Sequence, residues 1–420
     1  MKFIHAADIH LDSPLVGLER YEGAPVDELR GAARKAFENL IRLAIDEAVD
    51  FVLLAGDIYD GNWRDYNVGL YFIKQMEELG RQGIKVFMVS GNHDAANRIS
   101  RELKLPANVH RFSDKNPETI KDEDLGIAVH GQSYRTAELQ DNLAVSYPEN
   151  VPGLFNIGLL HSGVTGRPGH ANYAPCSLDN LTAKNYDYWA LGHIHMREEL
   201  SREPWVVMPG NIQGRHIRET GIKGCSLVMV ANGVVQEVAH HPLDVVRWAR
   251  IEVDASDAET AEDALDLAVA KCNEAATGCD NLLLAVRIEF VGSSRAHAQF
   301  ITDGEHWENE LRALLLSHFG DQLWAEKILF KTTHSINLDD FADNNDPFAI
   351  LLHAVGNVND IEELLVSERA AIDAVLNKIP VDLRDQLELP DLDNPDEMQI
   401  LFGEIREMLL PLLMADRGAE

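Results

Sequence analysis

Short apolar runs alternate with longer segments of helical periodicity over the first half of the chain. Such runs, with little polar alternation, are typical of strands buried on both faces, and we predict strands at KFIHAAD, FVLLAG, KVFMVSG, GIAVHG, FNIGLLH, YDYWALGH and WVVMPG. Helices are predicted over residues 26–49 and 64–81, where apolar positions recur at helical spacing. Strands alternating with amphipathic helices indicate an α/β layered architecture.

The pattern changes twice after that layered region. CSLVMV and VVQEVAHH flank Asn232-Gly233, a pair that favours a tight hairpin. From residue 247 a second series predicts strand RWARIEV, helix 258–276, strand LLLAVRIEFV, helix 299–319 and strand AEKILFK, which is a small α+β module. THSINLDDFADNNDPF is a predicted linker, and helices are predicted near 361–378 and 398–414. The expected domains are therefore 1–245, 246–335 and an acidic, helical 336–420.

Composition limits the classes of partner and compartment. The formal net charge is -32, and the C-terminal segment has few basic residues. Phosphate backbones are bound mainly through Lys and Arg, so DNA contact is expected to be local or shared with a partner. Cys176, Cys225, Cys272 and Cys279 form no CxxC pair, which argues against disulfides or a zinc knuckle. With no apolar run of membrane-spanning length and no signal-like N-terminus, we expect a cytoplasmic protein without membrane contact.

Five predicted strands end in residues that can bind a metal ion. In chain order these are Asp8 with His10, Asp57, Asn92 with His93, His161, and His193 with His195. Ligands of open α/β sheets bind at the carboxyl ends of the strands, so these residues are expected to meet. A single histidine is more often an ordinary core or surface residue. The ordered series DxH, GD, GNHD, H and GHxH, each after an apolar run, argues against that interpretation for the whole set.

The donor types and their spacing suggest specific roles. Imidazoles with carboxylate and amide oxygens, and without thiolate, favour manganese, with iron or zinc as alternatives. Two such ions about 3.5–4 Å apart can polarise a phosphoryl oxygen and activate water. We expect Asp57 to bridge them, and the other ligands to divide into two sets: Asp8, His10 and His195, and Asn92, His161 and His193. His93 is predicted to donate a proton or hold the phosphate, with Asp94 orienting its imidazole.

Residues around this set have weaker signals. Gly56, Gly91 and Gly192 precede ligands where the backbone must come close to the site. Asp60 is expected to hydrogen-bond a ligand histidine or cap the turn. His130 is expected to be a supporting or structural residue. His216 is equally well explained as a phosphate contact or as structural, and the loop SGVTGRPGHANY, with Arg167, His170 and Tyr173, is more simply an ordinary loop than a nucleic-acid contact.

The segments DIH, GDIYD, GNHD, LLHSG and ALGHIH resemble the five signature segments of calcineurin-like metallophosphoesterases. The opening FIHAADIHLDSPL and the later MPGNIQGRH are similar to the SbcD/YhaO branch of DNA repair nucleases. The resemblance covers about half of the chain. It implies a layered metallophosphoesterase sandwich with a capping domain that contacts DNA, a manganese-dependent exonuclease or endonuclease activity, a homodimer, and a coiled-coil SMC-like ATPase partner on which the C-terminal helices could dock.

Three alternatives remain beside the nuclease. Protein serine/threonine phosphatases of this superfamily typically continue GDxxD with Arg, whereas Gly61 follows Asp60 here. Small-nucleotide phosphodiesterases share the metal ligands but usually lack an appended module and acidic tail of this size. A scaffold with a vestigial metal site would not need the intact ligand series.

Overall fold

A computed structural model describes residues 1–13, 15, 23–60, 66–96, 103–164, 175–279, 282–334, 378 and 394. Its strands, numbered in chain order, are β1 (Lys2–Ala6), β2 (Phe51–Ala55), β3 (Lys85–Val89), β4 (Val109–Arg111), β5 (Glu118–Asp122), β6 (Ile127–Gly131), β7 (Phe155–His161), β8 (Tyr188–Gly192), β9 (Glu198–Arg202), β10 (Trp205–Met208), β11 (Gly224–Ala231), β12 (Val234–Pro242), β13 (Val246–Asp254), β14 (Leu283–Val291), β15 (Ser293–Ser294), β16 (Leu323–Phe330) and β17 (Thr333–His334). Its α-helices are α1 (Val26–Asp46), α2 (Tyr66–Arg81), α3 (Asn92–Ala96), α4 (Leu178–Thr182), α5 (Ala261–Ala276), α6 (His297–Thr302) and α7 (Gly304–Phe319). Short 3₁₀ helices lie at Leu143–Ser146 and Gly320–Gln322.

Two six-stranded mixed sheets form the frame of the layered region. The first has the strand order β12-β11-β1-β2-β3-β4, and the second has the order β5-β6-β7-β8-β10-β9. Within the first sheet, β1 through β4 are parallel to one another. Within the second, β6, β7, β8 and β10 are parallel. Parallel strands end at the same edge of a sheet, so residues that follow them are brought together there.

Strand β2 shows why these runs are apolar throughout. All five of its residues are buried, but their side chains pack in two different hydrophobic cores. Val52 and Leu54 belong to the core that also contains residues of α1 and α2, whereas Phe51 and Leu53 belong to a core shared with the second sheet. Successive side chains of a strand point to opposite faces, so a strand between two layers has no polar position. This confirms the predicted α/β layered sandwich.

Helix α1 follows the predicted spacing but ends earlier than expected. Its buried residues are Leu29, Ala32, Ala33, Ala36, Phe37, Leu40, Ile41 and Ala44. The prediction ran to residue 49, but the helix ends at Asp46 because Ala48 adopts a left-handed φ of 47°. The N–H groups of Ala48 and Val49 then donate back to Ile45 and Ala44, which satisfies the last carbonyls of the helix.

The predicted hairpin is present between β11 and β12. These strands pair antiparallel, with Ala231 opposite Val234. Asn232 and Gly233 have positive φ values of 54° and 73°. Positive φ at both central residues is the requirement of a type I′ turn, which explains the Asn-Gly sequence.

The later module contains the predicted elements with two differences. The predicted helix 258–276 begins at Ala261, because Thr260 and Asp263 exchange hydrogen bonds and cap the first turn. The single predicted helix 299–319 is wrong. Two helices, α6 and α7, are separated by Asp303, whose φ of -141° and ψ of 51° are not helical.

The chain divides into two compact units. Among the described residues, the first lies within 1–250, 276–286 and 319–326, and the second lies within 251–275, 287–318 and 327–334. The boundary therefore falls within β13, β14 and β16, which form one three-stranded sheet. The predicted borders at 245 and 335 stay a prediction, and the predicted C-terminal helices lie outside the described residues.

Cys176, Cys225 and Cys272 are buried, and Cys279 is partly buried. Within the described ranges, no helix has the length and apolar character needed to cross a membrane.

Candidate metal centre

The loops that follow β1, β2 and β8 carry candidate ligands on an unusual backbone. Asp8, His10, Asp57 and His193 have φ values of 51°, 46°, 51° and 99°. Positive φ is unfavourable for residues with a Cβ and persists only where the surroundings enforce it. Here the N–H of Asp8 donates to Gly56 O (3.1 Å), and that of His10 donates to Asp57 O (3.0 Å). The β1 and β2 loops thus hold each other in the conformation that directs their side chains to a common site.

Asp57, His161 and His193 offer ligand atoms that all lie within 4.8 Å of one another. We call these three residues, with Asn92, the inner half of the centre. His161 is fully buried, and its Nδ1 lies 2.8 Å from Ala55 O, to which it donates. That bond fixes the tautomer and leaves Nε2 as a lone-pair donor, 3.4 Å from Asp57 Oδ2 and 3.1 Å from Asn92 Oδ1.

Asp8, His10 and His195 form a second group with ligand atoms within 4.8 Å. We call these three residues the outer half. The Nε2 atoms of His10 and His195 lie 3.2 Å apart, and His195 Nε2 is 3.8 Å from Asp8 Oδ1. Asp57 Oδ2 is also 3.9 Å from His10 Nε2. The Asp57 carboxylate therefore faces both halves, which is the position required of the predicted bridge.

The donor set fits two divalent cations. Two imidazole Nε2 atoms facing each other are mutually favourable only when a proton or a cation lies between them, and His10 Nδ1 is buried without a hydrogen-bond partner among the described residues. Burial alone would raise the pKa of the Asp57 carboxyl, yet the neighbouring His161 imidazole holds that pKa well below its ordinary value. Burial would lower the pKa of His161, but the carboxylates of Asp57 and Asp8 raise it to about 9. An ionised carboxylate among imidazoles is a suitable ligand set for Mn, Fe or Zn.

Three glycines permit the close approach of these loops, as predicted. A Cβ at Gly91 would overlap the Asp57 carboxylate, and one at Gly192 would overlap the carbonyl of Ala55. The third, Gly56, has a φ of 91°, and a Cβ there would lie 2.5 Å from His161 Nδ1. Each ligand loop thus requires the absence of a side chain in its neighbour.

His93 lies beside both halves and is partly exposed. Its Nδ1 is 2.8 Å from Asp60 Oδ1, and its side chain is 38% exposed. The hydrogen bond to Asp60 raises the pKa of His93. Ser13 Oγ donates to the other carboxylate oxygen of Asp60 at 2.7 Å. The hydrogen bond of Asp60 was predicted to go to a ligand histidine, but it goes to His93, and Nδ1 of the ligand His10 lies 3.8 Å from Asp60 Oδ1.

Asp94 makes contacts of a different kind from those predicted. Its carboxylate accepts hydrogen bonds from the backbone N–H groups of Ile58 (3.2 Å), Tyr59 (3.0 Å) and Gly91 (3.0 Å). Burial and the nearby Asp57 carboxylate raise the pKa of Asp94 to about 6. Asp94 thus ties the loop after β2 to the start of α3, while the carboxylate at hydrogen-bond distance from His93 Nδ1 belongs to Asp60.

Sequence reasoning missed Glu219 and Arg215, which lie in the loop between β10 and β11. Glu219 Oε1 is 2.7 Å from His195 Nδ1, so the imidazole donates to this carboxylate and turns Nε2 toward the outer half. Arg215 NH2 donates to the same oxygen at 3.1 Å. An acidic residue four positions after an arginine, in the segment that follows WVVMPG, was the available signal.

The remaining candidates lie away from the ligands or outside the described residues. His130 bonds Thr119 and Asn156 and stacks on Tyr186 with ring centroids 4.2 Å apart, which is a structural role. His216 is exposed, with Nε2 3.6 Å from Glu219 Oε1. The loop with Arg167, His170 and Tyr173 lies outside the described residues.

Residues 1–197 match the family model of calcineurin-like phosphoesterases, which confirms the predicted resemblance. The matched segment contains all seven candidate ligands. Residues 248–333 match the model of the middle domain of metallophosphoesterase YhaO.

Several known proteins are similar to part of this chain. The chain is 39% identical to an uncharacterised metallophosphoesterase YhaO of Bacillus subtilis over 263 residues, which is 62% of this chain and 64% of that protein. It is 23% identical to the DNA double-strand break repair protein Mre11 of Methanopyrus kandleri, over 50% of this chain and 48% of that protein. It is 25% identical to the Mre11 of Sulfurisphaera tokodaii, over 54% of this chain and 59% of that protein. The chain thus spans less than two thirds of each of these relatives.

Proposed function

We propose that this chain is a two-metal phosphodiesterase that hydrolyses DNA during repair or end processing. The observation that carries the proposal is the Asp57 carboxylate, which faces the inner half at 3.4 Å from His161 Nε2 and the outer half at 3.9 Å from His10 Nε2. A shared carboxylate between two imidazole groups is the arrangement that holds two cations side by side.

The ligand assignment in this proposal follows the two halves. Asp8, His10 and His195 would hold one ion, Asn92, His161 and His193 the other, and Asp57 both. Manganese is our first choice, since the donors are nitrogen and oxygen without sulfur. When bound, the ions supply Lewis-acid polarisation of the phosphoryl group and activation of water.

The chain's own residues supply the rest of the mechanism. Asp60 accepts from His93 Nδ1 at 2.8 Å, which orients the imidazole with its other nitrogen toward the partly open side of the centre. A protonated His93 could then donate to the leaving oxygen or hold a phosphate oxygen. We assign the orienting role to Asp60 and a loop-anchoring role to Asp94, because the carboxylate of Asp94 accepts three backbone N–H groups.

DNA as the substrate is supported by the relatives named as Mre11 repair proteins and by the appended module matched to the YhaO middle domain. The net charge of -32 is unfavourable for unaided binding of a polyanion. An SMC-like ATPase partner that contributes basic surface, and a homodimer that presents two centres, are parts of the same proposal.

A nuclease assay tests the proposal. Blunt, recessed and single-stranded DNA would be incubated with manganese, magnesium or chelator, with the wild type and with Asp57→Asn. We expect manganese-dependent release of nucleotides that falls by about a thousandfold or more in the variant, because several kcal/mol of charge stabilisation is lost. Intact DNA in every condition, with or without the ATPase, would contradict it.

A second candidate is a small-nucleotide phosphodiesterase, favoured by the acidic charge because a small substrate needs no extended basic surface. Cyclic nucleotides belong in the same assay. Rapid hydrolysis of these with no cleavage of DNA would make this the better proposal.

A further inference from the structure

Arg215 lies between two carboxylates that each contact a different histidine of the metal centre. Its NH2 donates to Glu219 Oε1 at 3.1 Å, and its NH1 is 3.7 Å from Asp60 Oδ2. Glu219 accepts from His195, and Asp60 accepts from His93. One guanidinium group is therefore the common neighbour of two carboxylate–histidine pairs.

The position of Arg215 is fixed independently of those contacts. Its side chain is 16% exposed. Its backbone N–H donates to Glu219 Oε2 at 2.8 Å, and Asn211 Nδ2 donates to the same oxygen at 2.9 Å. Glu219 thus has both oxygens satisfied by its own loop. The arginine and the glutamate form one rigid unit that precedes β11.

This loop is anchored to the protein interior on its other side. Gln213 accepts from the N–H groups of Val245 and Val246, and the Trp248 indole donates to Gly214 O at 3.0 Å. A Cβ at Gly214 would lie 2.7 Å from Glu219 O and 3.0 Å from the Trp248 ring. The loop therefore packs at a spacing that admits no side chain at residue 214, and Arg215 has little freedom to move.

Arginine suits this place for physical reasons. The guanidinium is planar, stays charged and presents donors at fixed angles, so it can face two carboxylates simultaneously. A lysine ammonium is a compact charge on a flexible stem, and a single ammonium cannot reproduce two contacts in fixed directions. The guanidinium also places a positive charge beside both carboxylates and attracts them electrostatically.

We propose that Arg215 is a positioning residue for both functions of the centre. Through Glu219 it sets the direction in which His195 presents Nε2 to a cation, and through Asp60 it sets the direction of the His93 imidazole toward a leaving group. The inference rests on the proposed phosphodiesterase function, and it adds a link between metal binding and proton donation.

The test compares Arg215→Met and Arg215→Lys with Arg218→Met, a matched control on an exposed arginine of the same loop. Calorimetric titration with manganese measures the first role. We expect Arg215→Met to weaken manganese binding about tenfold, since loss of a residue that supports a ligand typically costs 10- to 100-fold in metal affinity. Arg215→Lys should lie between this variant and the wild type, and Arg218→Met should match the wild type.

Two esters of thymidine measure the second role. Thymidine 5′-(p-nitrophenyl phosphate) expels a phenolate that needs no proton, whereas the dinucleotide TpT expels an alkoxide that does. With manganese at saturating concentration, Arg215→Met should lose at least about tenfold more activity on TpT than on the aryl ester, because impaired proton donation affects only the poorer leaving group. A residue needed only for folding would lower both activities equally.

The outcomes separate this inference from the function on which it rests. Wild-type manganese affinity and equal losses on both esters in Arg215→Met would overturn the positioning role. If Arg215→Met does not fold, as judged by circular dichroism, the same two readouts in Arg215→Lys decide. A wild type that leaves DNA intact in the nuclease assay would defeat the proposed function, and the manganese titration would then decide whether Arg215 supports a metal ligand.

Discussion

The inner and outer halves of the centre each contain one histidine whose support differs from that of the other. In the inner half, His161 is fully buried and donates to a backbone carbonyl, and its neighbouring loops meet where only glycine fits. In the outer half, the side chain of His195 is 26% exposed and donates to the carboxylate of Glu219. His161 therefore depends on backbone packing, and His195 depends on a network of charged side chains. Substitutions of very different kinds should damage the two halves.

His93 lies beside both halves and should not be needed by either. We expect His93→Ala to keep wild-type manganese stoichiometry and to lose about 10²- to 10⁴-fold in kcat, since a proton donor is removed while the ligands remain. Elemental analysis and steady-state kinetics on TpT measure the two effects. Asp60→Asn, which alters the partner of His93, should show a smaller loss of the same kind. Loss of bound manganese in His93→Ala would show that this imidazole is a ligand.

Gly91→Ala should damage the inner half. The added Cβ would overlap the Asp57 carboxylate, and a displacement on the order of 1 Å at a catalytic group can cost about a hundredfold in activity. Gly31→Ala is the matched control, because a Cβ at Gly31 of α1 meets no atom within 4 Å. Manganese stoichiometry and activity should both fall in Gly91→Ala and stay unchanged in Gly31→Ala. Equal behaviour of the two variants would contradict the packing argument.

Glu219→Gln should weaken metal binding in the outer half alone. An amide supports the His195 imidazole less strongly than an ionised carboxylate, so we expect manganese affinity at one of two sites to fall about 10- to 100-fold. Glu237→Gln, at an exposed position of β12, is the control. A two-site titration resolves the effect. A uniform loss at both sites would mean that the halves are not separable in this way.

Substitution of His5 should have the smallest effect of those considered. It tests the contact between β1 and β8, the strands that precede ligands of both halves. His5 lies in β1, with Nδ1 3.0 Å from the Tyr188 hydroxyl and Nε2 3.0 Å from Leu191 O, both in β8. Burial lowers its pKa to about 3. The unfolded chain should bind a proton near pH 6.5, which the folded chain does not, so the stability due to His5 is complete above that pH and declines as pH falls toward 3.

Urea unfolding of the metal-free protein measures this decline. Between pH 6.5 and 5, the free energy of unfolding should fall by about 1.1 kcal/mol per pH unit more in the wild type than in His5→Gln. His161, whose pKa is raised to about 9, is present in both proteins, so its contribution cancels in the comparison. Parallel curves for the two proteins would show that His5 does not titrate as its surroundings require.

The candidate ligands could be found in the sequence because each follows a strand that is itself recognisable. Asp57 comes directly after FVLLAG, and His161 ends FNIGLLH. Strands buried on both faces have an apolar run as their signature, and chemistry at their carboxyl ends follows from sheet geometry. The same reasoning could not identify Glu219 or Arg215, because the sequence of the loop that contains them has no periodic pattern.

The sequence by itself determined the class of chemistry, because donor types and their order after successive strands depend only on local pattern. The tertiary structure decided which carboxylate accompanies which histidine. Asp94 is adjacent to His93 in the chain, yet it accepts backbone N–H groups, and Asp60 contacts the imidazole instead. Hydrogen-bond partners are chosen by the direction of side chains in space, and neighbours along a turn or helix point in different directions.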